Sequence, residues 1–495
     1  MKTIIQITTI TVVLSLNMLF GIQSAYSASI GYVSKLLPKT ETYSLNSNND
    51  DLYLPLITNN DWGSLERRVP TVHVPYFQDD IDFEQTAIFW FGNVTPIDNY
   101  ADVRIGYTSQ FLYIRLGVFD RLLWYDTQPT SDTLQSWDAA ELYVKVNTIG
   151  SDIINQYTYR FVGQLNWWED REQWQTSYQG NGIGWDEKAL SFTTISGWRG
   201  NAPNDNVNDR GWTLVYKIPY TSLGLSGPPI NGERWKIAID LHDRDDISGS
   251  PISTKSWPDS MITNDPLTWG YLSFGYPKND SNIASPDGQV TIRHKLNGAQ
   301  VVDAHVGGDT TCGQDYSPSF FDGWGDANYA YDEQINIQNQ SDVADWPCFS
   351  KFYVTFPLEL VPNGKEILSA TLRLYQFGNS GQGWEPAPQP SFIQIGIASN
   401  QWVESTITWN NAPYLLENHG GTWVYPLTEF PDYPGVLVEW NISTAVANAY
   451  ARGEPIRLVL YSADSAIHSG KYFFSSDIDE WNAEGRPTLE VVWGD

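Results

Sequence analysis

Cysteine, methionine and positive charge are what this 495-residue sequence has little of: it holds 2 Cys, 3 Met and 29 Lys+Arg against 58 Asp+Glu. The resulting formal net charge of −29 repels phosphate, which argues against nucleic acid as a partner. The 6 His are scattered without metal-ligand spacing, and the patterns H-E-x-x-H, G-x-S-x-G and Walker A do not occur. After residue 22 no apolar run approaches the ~20 residues that cross a bilayer. Helical periodicity is confined to Ser443–Arg452 (STAVANAYAR), which opens on a capping-type serine and stops at Gly453.

The chain opens MKTIIQITTITVVLSLNMLFGIQSAYSAS. A positive residue, an apolar stretch and the small-x-small triplet Ala25-Tyr26-Ser27 read as a signal peptide over residues 1–27, with an uncleaved anchor as the rival reading. The expectation is a protein that is secreted or held at the cell surface, without a membrane span in its mature part. In that compartment Cys312 and Cys348 read as a single disulfide. It closes a loop of about 35 residues and stabilises by ~3 kcal/mol in the entropic model; two separate buried thiols are the alternative.

What the chain does have is period-two alternation. The stretch from Asn99 to Val146 holds three such runs, ADVRIGYT, FLYIRLGVFD and AAELYVKV, which is the pattern of strands with two distinct faces. Between the second and third runs lies the polar loop Asp120–Asp138, with Trp124 and Trp137, a place for a binding site on a rigid sheet. Further strands read at TAIFWFGNV, Ile153–Gln164, WTLVYKI, WKIAIDLH and WGYLSFG, and a polar, aromatic excursion separates two of them at Gln164–Ala189. After PKNDSNIASP the β pattern resumes in DGQVTIRHKL, ILSATLRLYQF, SFIQIGIAS, IRLVLYS and TLEVVW. The expected organisation is all-β, with two β-sandwiches in tandem. A lead-in spans 28–60, the first sandwich 61–276, a linker 277–286, and a jelly-roll-like second sandwich 287–495.

Two features bear on ligands. With 22 Trp and 28 Tyr, the aromatic load exceeds the needs of a core and suits stacking on sugar rings. Asp-rich loops suit calcium, which takes carboxylate oxygens, although no stretch has EF-hand spacing. Paired carboxylates for hydrolysis can be found, but Asp138 and Glu141 are three residues apart across a strand start, where alternation sends them to opposite faces.

The order ADVRIGYTSQFLYIRLGVFD, WDAAELYVKV, RGWTLVYKIPYTSLGL and WGYLSFG, spanning Asp61 to Tyr276, resembles the family 9 carbohydrate-binding modules within the DOMON-like sandwiches. Val215 stands where that family often has Glu, and the insert Trp167–Trp198 departs from a compact module. The second half, Asp287 to Asp495, resembles the DNRLRE domain through QWVESTITWNNAP (Gln401–Pro413), ILSATLRLYQF and YFFSSDIDEWNAEGRPTLEVVW. The first resemblance implies a terminal sugar held between two tryptophans, with Trp124 and Trp257 as candidates and Trp167, Trp168 and Trp174 extending the platform; a loop Trp that merely plugs the sandwich competes. Trp409 and Trp440 are expected in the core. Both resemblances imply structural calcium, with Asp243, Asp245 and Asp246 in one loop and Asp477 and Asp479 in another as candidate ligands. DOMON-like relatives also raise a haem held by Met261 with His73 or His242. The function expected is a non-catalytic, exported carbohydrate-binding protein that recognises a polysaccharide through aromatic loops. The alternatives are a polysaccharide hydrolase or lyase, and a structural surface protein without sugar affinity.

Overall fold

Alternation along Phe111–Phe119 sends Leu112, Ile114, Leu116 and Val118 into the core and leaves Phe111, Tyr113 and Arg115 half-buried. The same rule builds most of the molecule, seen in a computed structural model that describes residues 68–146, 153–166, 170–252, 254–277, 285–310, 320–339 and 348–494. The expected leader and lead-in, most of the expected linker, Trp167, Trp168 and Cys312 lie outside the described residues. Among the described residues no helix is long and apolar enough to cross a membrane.

Two β-sandwiches share one sheet. In the first, a 5-stranded antiparallel sheet runs in the order Ala87–Thr95, Asp98–Tyr107, Phe111–Phe119, Gly211–Pro219, Thr193–Arg199. In the second, a 6-stranded sheet is centred on the long strand Glu366–Asn379, flanked along one side by Thr488–Gly494 and then Lys471–Phe474 and along the other by Val436–Asn441. Facing both is a 13-stranded sheet that runs from Val302–Gly307 in the second sandwich to Trp185–Glu187 in the first. The join is the short strand Thr71–Val74, parallel to Gly270–Phe274 on one side and touching Leu415–Val424 at Thr71 and Glu417 on the other. Asn418 clamps the join, accepting the His73 N–H at 2.7 Å and donating to His73 O at 2.9 Å. His73 Nε2 lies 2.8 Å from Glu417 Oε1. Met261 packs with Trp269 and Tyr143.

The excursion at Gln164–Ala189 is not a loop. Its residues form the last two strands of the large sheet, Gln175–Gly180 and, at the edge, Trp185–Glu187, and Thr193–Arg199 follows in the opposite sheet. The helix forms over Ser443–Ala451 and Gly453 follows it, but Ser443 does not cap it. The Ser443 hydroxyl instead accepts the Ala370 N–H at 2.9 Å, tying the helix to the long strand.

Between the sandwiches the packing is continuous, since one apolar cluster takes in Trp212 and Trp235 from the first half and Trp324, Tyr353 and Trp409 from the second. Its polar centre is Asp102, which accepts from Tyr100 OH (2.5 Å), Tyr461 OH (2.9 Å) and Asn339 Nδ2 (3.0 Å). Beside it the buried Lys351 ammonium sits 3.3 Å from the Trp409 ring centroid, 4.5 Å from Trp90 and 4.6 Å from Tyr100. Ring faces are negative, so they offset part of the cost of burying that charge; burial still pushes the Lys351 pKa well down.

Candidate functional site

Three strands of the first sandwich end at one place. Asp120 follows Phe111–Phe119, Asp138 precedes Ala139–Lys145, and Asp243 follows Arg234–His242. The last two strands pair His242 with Ala139, which sets Asp138 and Asp243 side by side, and Asp120 arrives from the opposing sheet. A carboxylate oxygen from each of the three buried side chains lies within 4.8 Å of the others. Asp138 accepts the backbone N–H of Trp124 at 2.6 Å and of Arg244 at 2.9 Å. Asp120 accepts the Leu122 N–H and the Trp212 indole N–H. Oδ1 of Asp243 is buried and has no hydrogen-bond partner. Burial is the first cause that pushes all three pKa values up; neighbouring carboxylates add to it, Asp243 and Asp245 at Asp120, Asp120 and Asp243 at Asp138, and Asp245 and Asp98 at Asp243, which is raised to about 8. An all-oxygen group with an orphaned carboxylate oxygen fits a hard cation such as calcium.

A second group forms in the other sandwich from Asp303 on Val302–Gly307, Glu404 in a short 3₁₀ turn and Asp477 just after Lys471–Phe474. Asp303 is 1% exposed; its Oδ2 accepts the Ser476 N–H at 2.8 Å while its Oδ1 has no partner. Burial, then Asp477, pushes Glu404 up to about 7.

Of the candidate metal ligands, Asp243 and Asp477 fall in these groups. Asp245 is half-buried beside the first and adds to the field on Asp120 and Asp243. Asp246 is spent on its own loop, accepting the N–H groups of Ser248 and Gly249, and Asp479 is exposed outside the second group. Asp120, Asp138, Asp303 and Glu404 were not singled out from the sequence as metal ligands, and Asp138 drew attention only as a possible partner of Glu141. Cys348 is disulfide-bonded.

The tryptophans expected to form a sugar platform are in the core where they can be seen. Trp257 is 2% exposed, with its ring 4.3 Å from that of Phe89. Gly270 is what admits it, because a Cβ there would come within 2.7 Å of the indole. Trp124 is buried behind Asp138, and Trp174 is buried with its indole N–H donating to Asp126 O at 2.7 Å. Polar neighbours in sequence suggested exposure for Trp124, and the resemblance alone named Trp257 and Trp174; all three rings are buried. Trp409 and Trp440 are buried as expected, and Trp137 is half-buried beneath the Arg244 guanidinium.

Beyond those rings, two other groupings bear on function, one a largely buried charge network and one an exposed surface. On the outer face of the large sheet, register places Glu141 opposite Asp240, Tyr143 opposite Arg160, and Arg160 opposite Tyr178. Glu141 pairs with Arg160, and its Oε1 lies 3.6 Å from His242 Nε2. The Tyr143 hydroxyl sits between Glu141 and Asp240 Oδ2 (3.1 Å from the latter). Burial alone would raise the Glu141 pKa, but His242 and Arg160 outweigh it and hold the carboxyl at about 2. Asp138 and Glu141 thus lie on different sides of the strand, as alternation requires.

The second grouping is a set of exposed rings at the edge of the 6-stranded sheet. Trp481 is 57% exposed, Tyr433 56% and Phe430 63%. Tyr433 meets Trp481 edge to face at 4.5 Å and Phe430 at 6.2 Å. Phe474 and Phe377, stacked at 4.6 Å, lie against Tyr433 and Phe430. The Y-P-L-T-E-F-P-D-Y-P-G run at Tyr425–Gly435 was the available signal: aromatics alternating with prolines in a turn have no core to enter.

With this geometry in place, the comparisons bear on the second half first. Residues 321–491 match the model of carbohydrate-binding module family 96. No curated protein matches the sequence. Among solved structures, a family 9 carbohydrate-binding module from Caldicellulosiruptor kristjanssonii in complex with cellotriose is similar at 16% identity and a TM-score of 0.30, covering 43% of this chain and 98% of that one. The same organism's family 9 module in complex with glucose is similar at 18% identity and a TM-score of 0.29, covering 43% of this chain and 100% of that one.

Proposed function

We propose that this is a non-catalytic carbohydrate-binding protein acting outside the cell, with two sandwich modules, each braced by calcium. The observation that carries the reading is the match of residues 321–491 to a carbohydrate-binding module family, over the sandwich that also displays the exposed rings. The likeness of Gln401–Pro413 to the DNRLRE pattern supports the same reading, as does the opening of the chain for export.

Two features favour binding over catalysis. The acidic group of the first sandwich, Asp120, Asp138 and Asp243, is buried at strand ends, where a polysaccharide has no access to it. On the outer face of the first sandwich, Glu141 is held ionised by Arg160 and His242, and so is unsuited to donate a proton at neutral pH. Calcium is supported by the orphaned oxygens of Asp243 and Asp303. Asp120, Asp138 and Asp243 would hold one ion and Asp303, Glu404 and Asp477 another, each ion joining segments distant in sequence.

A glycan array probed with the full chain, with reducing-end release measured on the polysaccharides that bind, tests the reading. Binding without release is expected. Release of new chain ends would make it an enzyme, and no binding to any glycan would leave the structural surface protein.

A further inference from the structure

We propose that the exposed rings of Trp481, Tyr433 and Phe430 form the stacking surface for the flat face of an uncharged polysaccharide chain. This rests on the carbohydrate-binding reading above and goes further by naming the surface and the charge class of the glycan.

Large aromatics bury 150–250 Å² when they enter a core, so three of them standing more than half exposed side by side need a reason. They are not loose. Edge-to-face contact at 4.5 Å fixes Tyr433 and Trp481 against each other, and the stacked pair Phe377 and Phe474 supports them from the sheet. Gly435, at φ 114°, lets the Tyr433 loop close on the long strand, since a Cβ there would stand 2.9 Å from Gln376 O. Rings held rigid before binding lose little entropy on contact. Sugars whose hydroxyls are all equatorial present a face of C–H bonds, which is what such rings take.

Charge selects the class. The loop Tyr425–Gly435 carries Glu429 and Asp432 and no Lys or Arg, and Asp477–Gly485 carries four carboxylates and no Lys or Arg. The nearest cations, Arg486 and Lys295, are both directed at Glu480, at 3.0 and 3.4 Å. With Glu480 paired and Asp477 assigned to the ion, a uronate or sulfate chain would still meet the like charge of Glu429, Asp432, Asp479 and Glu484 here, whereas carboxylates accept hydrogen bonds from neutral sugar hydroxyls. The same acidic rim, on a chain of net charge −29, disfavours a second copy as the occupant.

The test is co-sedimentation and affinity electrophoresis of the full chain with microcrystalline cellulose and soluble mannan as uncharged probes, and alginate and polygalacturonate as charged ones. Retention by an uncharged probe is expected, weakened at least tenfold in Trp481→Ala and in Tyr433→Ala with unchanged melting temperature, and largely restored in Trp481→Tyr. Undiminished binding by the double variant Tyr433→Ala/Trp481→Ala would overturn the assignment of the surface while leaving carbohydrate binding intact. Binding to the charged probes alone would overturn the charge class. Binding to none of the four would bring down this proposal and, with the array negative, the reading beneath it. Dimers in sedimentation velocity that Trp481→Ala disperses would make the rings a self-contact instead.

Discussion

Trp257→Ala separates a core tryptophan from a binding one. The indole is 2% exposed, touches Phe89 and fills the space over Gly270. Truncation removes nearly all of that buried surface and leaves a cavity between strands that cannot close without moving the sheet. Losses of roughly 3–5 kcal/mol are usual for such a change, and the lost ring pair adds about 0.5–1.5 kcal/mol. For domains of 150–250 residues each kcal/mol is worth roughly 2–4 °C, and a larger cooperative unit moves less, so a drop on the order of 10 °C is expected. Urea unfolding followed by tryptophan fluorescence and by far-UV circular dichroism should show an earlier midpoint by both probes. Glycan affinity, measured well below the new transition, should equal that of the parent. The matched control is Trp481→Ala, whose exposed ring should cost no more than about 0.5 kcal/mol. A Trp257→Ala protein with an unmoved midpoint and lost glycan affinity would refute the reasoning and return Trp257 to the platform that the sequence suggested.

Three further expectations follow from buried charge. Chelation with EGTA should lower the melting temperature in calorimetry. An ion at 100 times its Kd contributes about 2.7 kcal/mol, and Asp243→Asn should remove the part of the response due to the first group; a melt indifferent to EGTA, with no calcium by elemental analysis, sinks the metal reading. Glu141, held at about 2, binds fewer protons folded than unfolded. Its stabilisation is therefore present above the unfolded value near 4.5 and lost as pH falls towards 2, so Glu141→Gln should flatten the acid limb of stability against pH, and an unchanged limb counts against the Arg160 and His242 pairing. Asp102→Ala, which strips Tyr100, Tyr461 and Asn339 of their shared acceptor, should cost roughly 3–5 kcal/mol in chemical denaturation. Lys351→Met, which keeps the volume and removes the charge, should be near neutral, and a severe loss there would show the ammonium to be indispensable.

Strands were legible wherever one face is buried and the other half-exposed, as in Phe111–Phe119. Where both faces are covered or the strand lies at an edge, alternation fades, which is why Gln175–Gly180 and Trp185–Glu187 read as an excursion. Asp243 and Asp477 were legible because acidic loops draw attention to themselves. Asp120, Asp138, Asp303 and Glu404 were not legible as metal ligands, because each group is completed only when segments from distant parts of the chain converge. Trp124 and Trp257 misled for a related reason. Polar neighbours within a few residues of Trp124 say nothing about what the ring packs against, and a position carried over from a resemblance does not show that Gly270 makes room for the Trp257 indole in the core. The exposed rings went unnoticed because two of them lie in a proline-rich loop and the third arrives from a turn near the C-terminus.

The strand Thr71–Val74 sets the timetable of the fold. It is the first described strand to be synthesised, yet one neighbour lies near residue 272 and the other near residue 417. His73 meets Asn418 across 345 residues of chain. Contacts so distant in sequence close late and slowly. The strand can pair with Gly270–Phe274 once the first sandwich has emerged, but its other edge waits for Leu415–Val424, and a ribosome or a translocation pore that stalls at residue 400 leaves that edge unpaired. A chain that stops short of Leu415–Val424 cannot zip this join, so such a fragment exposes a strand edge open to proteases and to aggregation.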